Sequence, residues 1–196
     1  MIRLDALDLT PSLGFRELEQ AKIPVVFFQD GSGKVQWQPP AGWEISGGGA
    51  SVTLKPHEQS NTGMELRLIP RNSADAPDGK TDPQAASTWV QVLLPAQSER
   101  ATFVREIPSP FLLGGLTCRE LTFTYSYLGR EFTTSIALVN LDLEHSLAVI
   151  IYASPKQFDQ VHEEGTRSMF RWVWVGSPGN RVKANARAQG ESVSGQ

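Results

Sequence analysis

The sequence predicts an α+β fold: a mostly antiparallel β-sheet packed between helices, an α/β/α sandwich. Three observations predict it. Residues 117–153 read as three strands joined by two short turns. Two amphipathic helical stretches lie on either side of this meander in the chain. The order strands, helix, strand, meander, helix lacks the regular strand–helix alternation of a doubly wound parallel sheet.

The meander carries the densest apolar sequence. Its first strand alternates Arg119, Leu121, Phe123, Tyr125 and Tyr127 with Cys118, Glu120, Thr122, Thr124 and Ser126. Aromatics on one parity and polar groups on the other predict a half-buried strand. Leu128-Gly129-Arg130 supplies a short turn. Residues 131–141 form a second strand rich in Thr, Ile and Val, and 142–145 a second polar turn. Residues 146–153 (Ser-Leu-Ala-Val-Ile-Ile-Tyr-Ala) are apolar on both parities, which predicts a central strand covered on both faces.

The bulk numbers narrow the class of protein. The chain has 196 residues, 40% hydrophobic and 20% charged, enough for one domain with a real core. Its net charge of -3 lacks the basic surplus of a nucleic-acid binder. The single cysteine, Cys118, leaves no internal disulfide and no cysteine zinc cluster. The acidic start Met1-Ile2-Arg3-Leu4-Asp5 does not read as a signal peptide, so a cytoplasmic location is expected, or export if a leader is missing. The run 23–28, interrupted by Pro24, is too short to span a bilayer.

In chain order, residues 1–24 read as an N-terminal extension. Within it, Thr10-Pro11-Ser12 opens a short helix to about Gln20, with Leu13, Phe15 and Leu18 on one side. A single domain is expected over 25–178. It starts with a hairpin, 25–28 and 34–38, around Asp30-Gly31-Ser32-Gly33. Pro39-Pro40-Ala41-Gly42 breaks the chain before Trp43, and Gly47-Gly48-Gly49 turns it again. Strands follow at 50–55 and 64–70, then a polar loop over 71–81. Asp82 caps a helix opened by Pro83, with Ala86, Trp89, Val90 and Leu93 as its apolar stripe and Pro95 as its stop. Residues 102–107 form a strand. After the meander, Ser154 and Pro155 open a second helix bearing Phe158, Val161, His162, Gly165, Met169, Trp172 and Val173. Residues 179–196 form a polar tail in which Arg181, Lys183 and Arg187 read as solvated charge.

These elements resemble a known family. Pro40-Ala41-Gly42-Trp43 after a strand looks like the opening of the PsbP-like fold. Gly115 to Phe123 looks like its glycine-led strand into a meander. Residues 147–153, followed by a helix with Phe158 and Phe170, look like its close. The resemblance covers about residues 35–175. It implies an antiparallel sheet between helices and a family of binding proteins rather than enzymes. Members include photosystem II extrinsic proteins, a nuclear Ran-binding protein, bacterial envelope lipoproteins and chaperones for secreted effectors. A fold analogy does not choose among those roles.

Motifs for chemistry are weak. Asp30-Gly31-Ser32-Gly33-Lys34 resembles a phosphate loop, but Phe28 and Val35 occupy positions that need Gly and Ser or Thr. A hairpin turn explains the glycines. His57, His145 and His162 lack converging partners at metal-ligand spacing. Asp159, His162 and Glu163 share a helix face, where salt bridging or solvation is the simpler role. No Gly-x-Ser-x-Gly elbow occurs, and Cys118 reads as a buried structural thiol. The expected site therefore has no catalytic residue, no metal ligand and no cofactor. Of five tryptophans, Trp43, Trp172 and Trp174 are the candidates for a partner-binding cleft or patch; core packing is the competing role.

The sequence thus points to a non-enzymatic accessory module of bacterial type with a protein partner. Two alternatives stand beside it: an enzyme with a cleft between sheet and helix, and a chaperone for apolar helices. A cleft lined by several ionisable groups would favour the enzyme. An open aliphatic sheet face would favour the chaperone.

Overall fold

The meander folds as the strand alternation dictates. β8 (Cys118–Tyr127), β9 (Arg130–Asn140) and β10 (His145–Ala153) pair antiparallel in turn. Leu128 and Gly129 close the first hairpin with φ of 50° and 72°, a two-residue turn whose twist matches that of the strands. The computed structural model describes residues 7–175 except 20, 32, 58–60, 71–81, 109, 112, 114, 115, 117 and 143. The polar loop 71–81 and the tail 179–196, with its basic residues, lie outside the described residues.

Eight further strands and two helices complete the described fold. β4 (Trp43–Gly48), β5 (Ser51–Pro56), β6 (Gly63–Pro70) and β7 (Thr102–Pro108) join the meander in a seven-stranded sheet of order β4-β5-β6-β10-β9-β8-β7. β1 (Leu7–Leu18), β2 (Ala21–Asp30), β3 (Gly33–Trp37) and β11 (Val173–Val175) form a second sheet of order β1-β2-β3-β11. Every described pairing is antiparallel. The helices are short: α1 (Pro83–Val90) and α2 (Phe158–Met169).

β10 lies between β6 and β9 and is buried on both faces, as its two apolar parities require. Leu147, Val149, Ile151 and Ala153 join one core with Phe158, Val161 and Met169 of α2. Ala148 and Ile150 join another with Ala86 and Val90 of α1. The second sheet, which the sequence reading did not foresee, shares the α2 side through Val26, Phe28, Val35 and Trp37. Gly165 fits α2 onto β10: a Cβ there would lie 2.7 Å from Ile151 Cδ1.

Three expectations are corrected. The helix over 10–20 is strand β1, and Leu7 and Leu9 of the supposed extension lie in the core. Pairing with β2 supplies hydrogen bonds that so short a helix could not sustain alone. α2 begins at Phe158, not next to Ser154; residues 154–157 form a turn closed by Gln157 N–H donating to the Ser154 carbonyl. Trp172 and Val173 are not on α2, which ends at Met169; Val173 opens β11, in which Trp174 lies opposite Val35. By contrast, Asp82 caps α1 as expected, its carboxylate accepting from Gln84 N at 3.1 Å. Ala86, Val90 and Leu93 are buried, and Trp89 at the stripe's margin is half-buried.

Candidate functional site

The first half of the polar parity of β8 is buried, while Thr124 is exposed. Glu120 is 1% exposed and Thr122 3%, because α2 and its neighbours cover that face. The strand predicted as half-buried is therefore covered on both sides in its first half and half-buried, as expected, from Thr124 onward. Burying a carboxylate is costly unless a partner meets it. Here His162, one side of α2, brings Nε2 to 2.5 Å from Glu120 Oε1. The imidazole stacks on Phe158, with ring centroids 5.3 Å apart and planes at 27°. Its side chain is 18% exposed, so one edge reaches solvent.

The chemistry of this pair is that of a carboxylate-oriented imidazole, which can move a proton. Beside it on β8 lies Cys118, 3% exposed, whose Sγ donates to the Phe111 carbonyl at 3.0 Å. Burial, helped by the Glu120 charge, pushes its pKa up to about 11. A thiol held protonated is a poor nucleophile. Thr122 Oγ1 and Thr166 Oγ1 are buried without a hydrogen-bond partner among the described residues. Sequence reasoning considered His162 with its helix neighbours Asp159 and Glu163. In the fold Glu163 pairs with Arg167 instead. The missed partner, Glu120, is 42 positions away. The available signal was a glutamate on a strand whose neighbours are so apolar.

The other ionisable groups do not converge. His57 meets Glu44 at 3.1 Å on the surface. His145 Nδ1 lies 3.2 Å from Asp142 Oδ1 in its turn. Arg119 points away from Glu120 and pairs with Glu106. Among the described residues no group of three or more His, Cys, Asp or Glu is placed to hold a metal. Asp30 to Lys34 closes the β2–β3 hairpin, where Gln29 Nε2 donates to the carbonyls of Gly31 and Gly33.

The three candidate tryptophans separate. Trp172 is 4% exposed and packs against Phe28, Trp37 and Trp174, so it builds the core. Trp37, fully buried, donates from Nε1 to the Ser168 carbonyl and ties β3 to α2. Trp174 and Trp43 are half-buried on the rim of that core. In the same segment Phe170 is exposed and meets Phe111 edge-on, and Val173 and Val175 are exposed on the face of β11 opposite Trp174. A separate cleft of about 210 Å³ is lined by Leu7, Ala50, Leu68, Pro70, Leu141 and His145, among others. Its lining is apolar apart from His145. No described helix is long and apolar enough to cross a membrane.

No protein-family model and no curated protein matches the sequence. Solved structures do. Cyanobacterial PsbP (CyanoP) from Synechocystis sp. PCC 6803 matches with TM-score 0.47 and 10% identity, over 72% of this chain and 86% of that one. LpqN of Mycobacterium tuberculosis, involved in cell envelope biogenesis, matches with TM-score 0.47 and 13% identity, over 89% and 95%. PA94 of Pseudomonas aeruginosa, a protein of unknown function, matches with TM-score 0.42 and 11% identity, over 84% and 99%. A protein of the PsbP type, which the sequence resembles, is thus among the structures it is similar to. At these identities the likeness transfers no activity.

Proposed function

We propose that the chain is a non-enzymatic binding module that engages a protein partner through the exposed apolar segment 170–175, which contains Trp174. The observation that carries this reading is the exposed apolar segment in which Trp174 sits: Phe170 is 63% exposed, Val173 47% and Val175 40%, the two valines on the face of β11 opposite the indole. Exposed apolar side chains gathered in one short segment are the usual chemistry of a protein interface. The apolar cleft with its single ionisable lining residue supports binding over catalysis. Trp43 is a second rim residue of the same core; Trp172 acts from within, as the support of Trp174.

The chaperone reading has less support. Both faces of the seven-stranded sheet, taken as the middle layer between α1 and α2, carry buried clusters, which leaves no open aliphatic face. The enzyme reading rests on the Glu120–His162 pair. One experiment separates the two. Phe170→Asp/Val173→Lys should abolish rescue of a knockout phenotype and the capture of the partner from native lysate. His162→Gln and Cys118→Ser, each checked for folding, should leave rescue intact. Loss of rescue by a well-folded His162→Gln protein, with the Phe170→Asp/Val173→Lys variant active, would overturn the binding reading.

A further inference from the structure

The edge of the second sheet is the least protected part of the molecule. β1 is terminal in its sheet, and among the described residues no strand pairs with its outer side. Its first half is covered: Leu9 N–H donates to the Gly49 carbonyl and Thr10 Oγ1 accepts from Gly49 N. A register shift between Asp8 and Ser12 then frees the strand from this contact. From Ser12 to Leu18 the edge carries no lysine, no proline and no bulge; its charges are Arg16 and Glu17, adjacent and of opposite sign. Leu13 is 77% exposed, Phe15 66% and Leu18 50%. Edge strands of this kind are normally guarded, because unpaired N–H and C=O groups template another strand.

We propose that this edge pairs antiparallel with β1 of a second copy of the chain, about a two-fold axis at Gly14. Self-complementarity singles out the second copy and the register. A two-fold axis normal to the sheet opposes residues of equal parity. Centred at Gly14, it sets Leu13 against Phe15 of the second copy twice and Ser12 against Arg16 twice. Centred at Phe15, it sets Leu13 against the Glu17 carboxylate. Centred at Arg16 or Glu17, it opposes like charges, which destabilises a sheet. The Gly14 register also joins the apolar rows. Leu13 sits beside Val26 and Phe15 beside Pro24 on β2, so each row runs Val26, Leu13, then Phe15 and Pro24 of the second copy. Gly14 itself is shielded on its other face by Phe27, whose ring leaves no room for a Cβ. The four-stranded sheet becomes eight-stranded across the axis.

The test uses the full chain. Sedimentation should show a concentration-dependent dimer. Hydrogen exchange should slow with rising concentration in amides of residues 12–17. Leu13→Lys/Phe15→Lys should raise the dissociation constant by roughly a hundredfold or more without moving the melting midpoint, since both side chains are exposed. Two gentler variants keep the test alive should that one misfold. Ser12→Glu places a carboxylate opposite Arg16 and should tighten the dimer about threefold; Ser12→Arg should weaken it by a similar factor. A chain that stays monomeric at millimolar concentration, even if it captures another protein on β1, overturns the proposal. So does a dimer that survives the lysines, protects amides elsewhere, or responds alike to both charges at position 12.

Discussion

The two faces of the seven-stranded sheet are built from different chemistry. Toward α1, β8 presents Leu121, Phe123 and Tyr125, and the opposing strands add Phe132, Ile136, Ala148 and Ile150. Tyr125 stacks on Phe132 at 5.4 Å, and Phe103 meets Phe123 edge-on at 5.7 Å. Toward α2, the same strand presents Cys118, Glu120 and Thr122, with Ser135 and Ala137 opposite. Over Cys118–Phe123 both faces are buried, yet only the first is apolar there; beside this stretch the α2 face is apolar too, through Val139, Leu147, Val149 and Ile151. The α1 face gains stability from area removed from water. The α2 face loses part of that gain to a buried carboxylate and recovers it only through the imidazole above it. A polar interior of this kind fixes where α2 must sit more than it stabilises the fold.

The largest expected effect breaks the apolar face. Phe123 is fully buried, and Phe123→Ala should cost about 3–5 kcal/mol in urea denaturation, as large aromatic deletions from cores do. A loss below about 1 kcal/mol would mean that α1 does not hold this face closed. The next effect sharpens the comparison. His162→Phe keeps the ring beside Phe158 but strands Glu120, and should cost about 3 kcal/mol. Adding Glu120→Leu should restore most of that loss, because two apolar groups suit the site better than one unpaired charge. Additive losses in the double variant would show that the two residues act separately.

What the sequence made legible follows from the range of each interaction. The meander and the position of β10 were readable because alternation is a local pattern tied to burial on both parities. Asp82 and Pro83 marked α1 for the same local reason. β1 was not readable: its strand state depends on pairing with β2 and on the contact with Gly49, which no window within 10–20 contains. β11 is three residues long and is defined by β3, so Trp172 and Val173 looked like the end of a helix. Glu120 and His162 lie on elements that the sequence placed correctly. Their meeting depends on how α2 lies across β8, a tertiary fact with no periodic signature.

The smallest expected effect also divides the two faces, and it appears on the alkaline side. Cys118 on the α2 face has its pKa raised from 9.0 to about 11, first by desolvation and then by the Glu120 charge. Tyr125 on the α1 face is shifted upward too, first by desolvation and then by the neighbouring tyrosines. A group whose folded pKa lies above its unfolded value contributes stability in full below the unfolded value, and loses it as pH rises through the folded one. The Cys118 contribution is therefore complete at neutral pH and declines between 9.0 and about 11. Tyr125 follows at higher pH. Cys118→Ser retains a donor for the Phe111 carbonyl and removes the thiol's titration. Its melting midpoint at pH 7 should lie near that of the parent, and its fall between pH 9 and 11 should be shallower. In the parent, alkylation at pH 8 should run about a hundredfold slower than for an unperturbed thiol, and denaturant should release it. Rapid labelling of the folded protein at pH 8 would mean that the α2 face opens to solvent, and the Glu120–His162 pair with it.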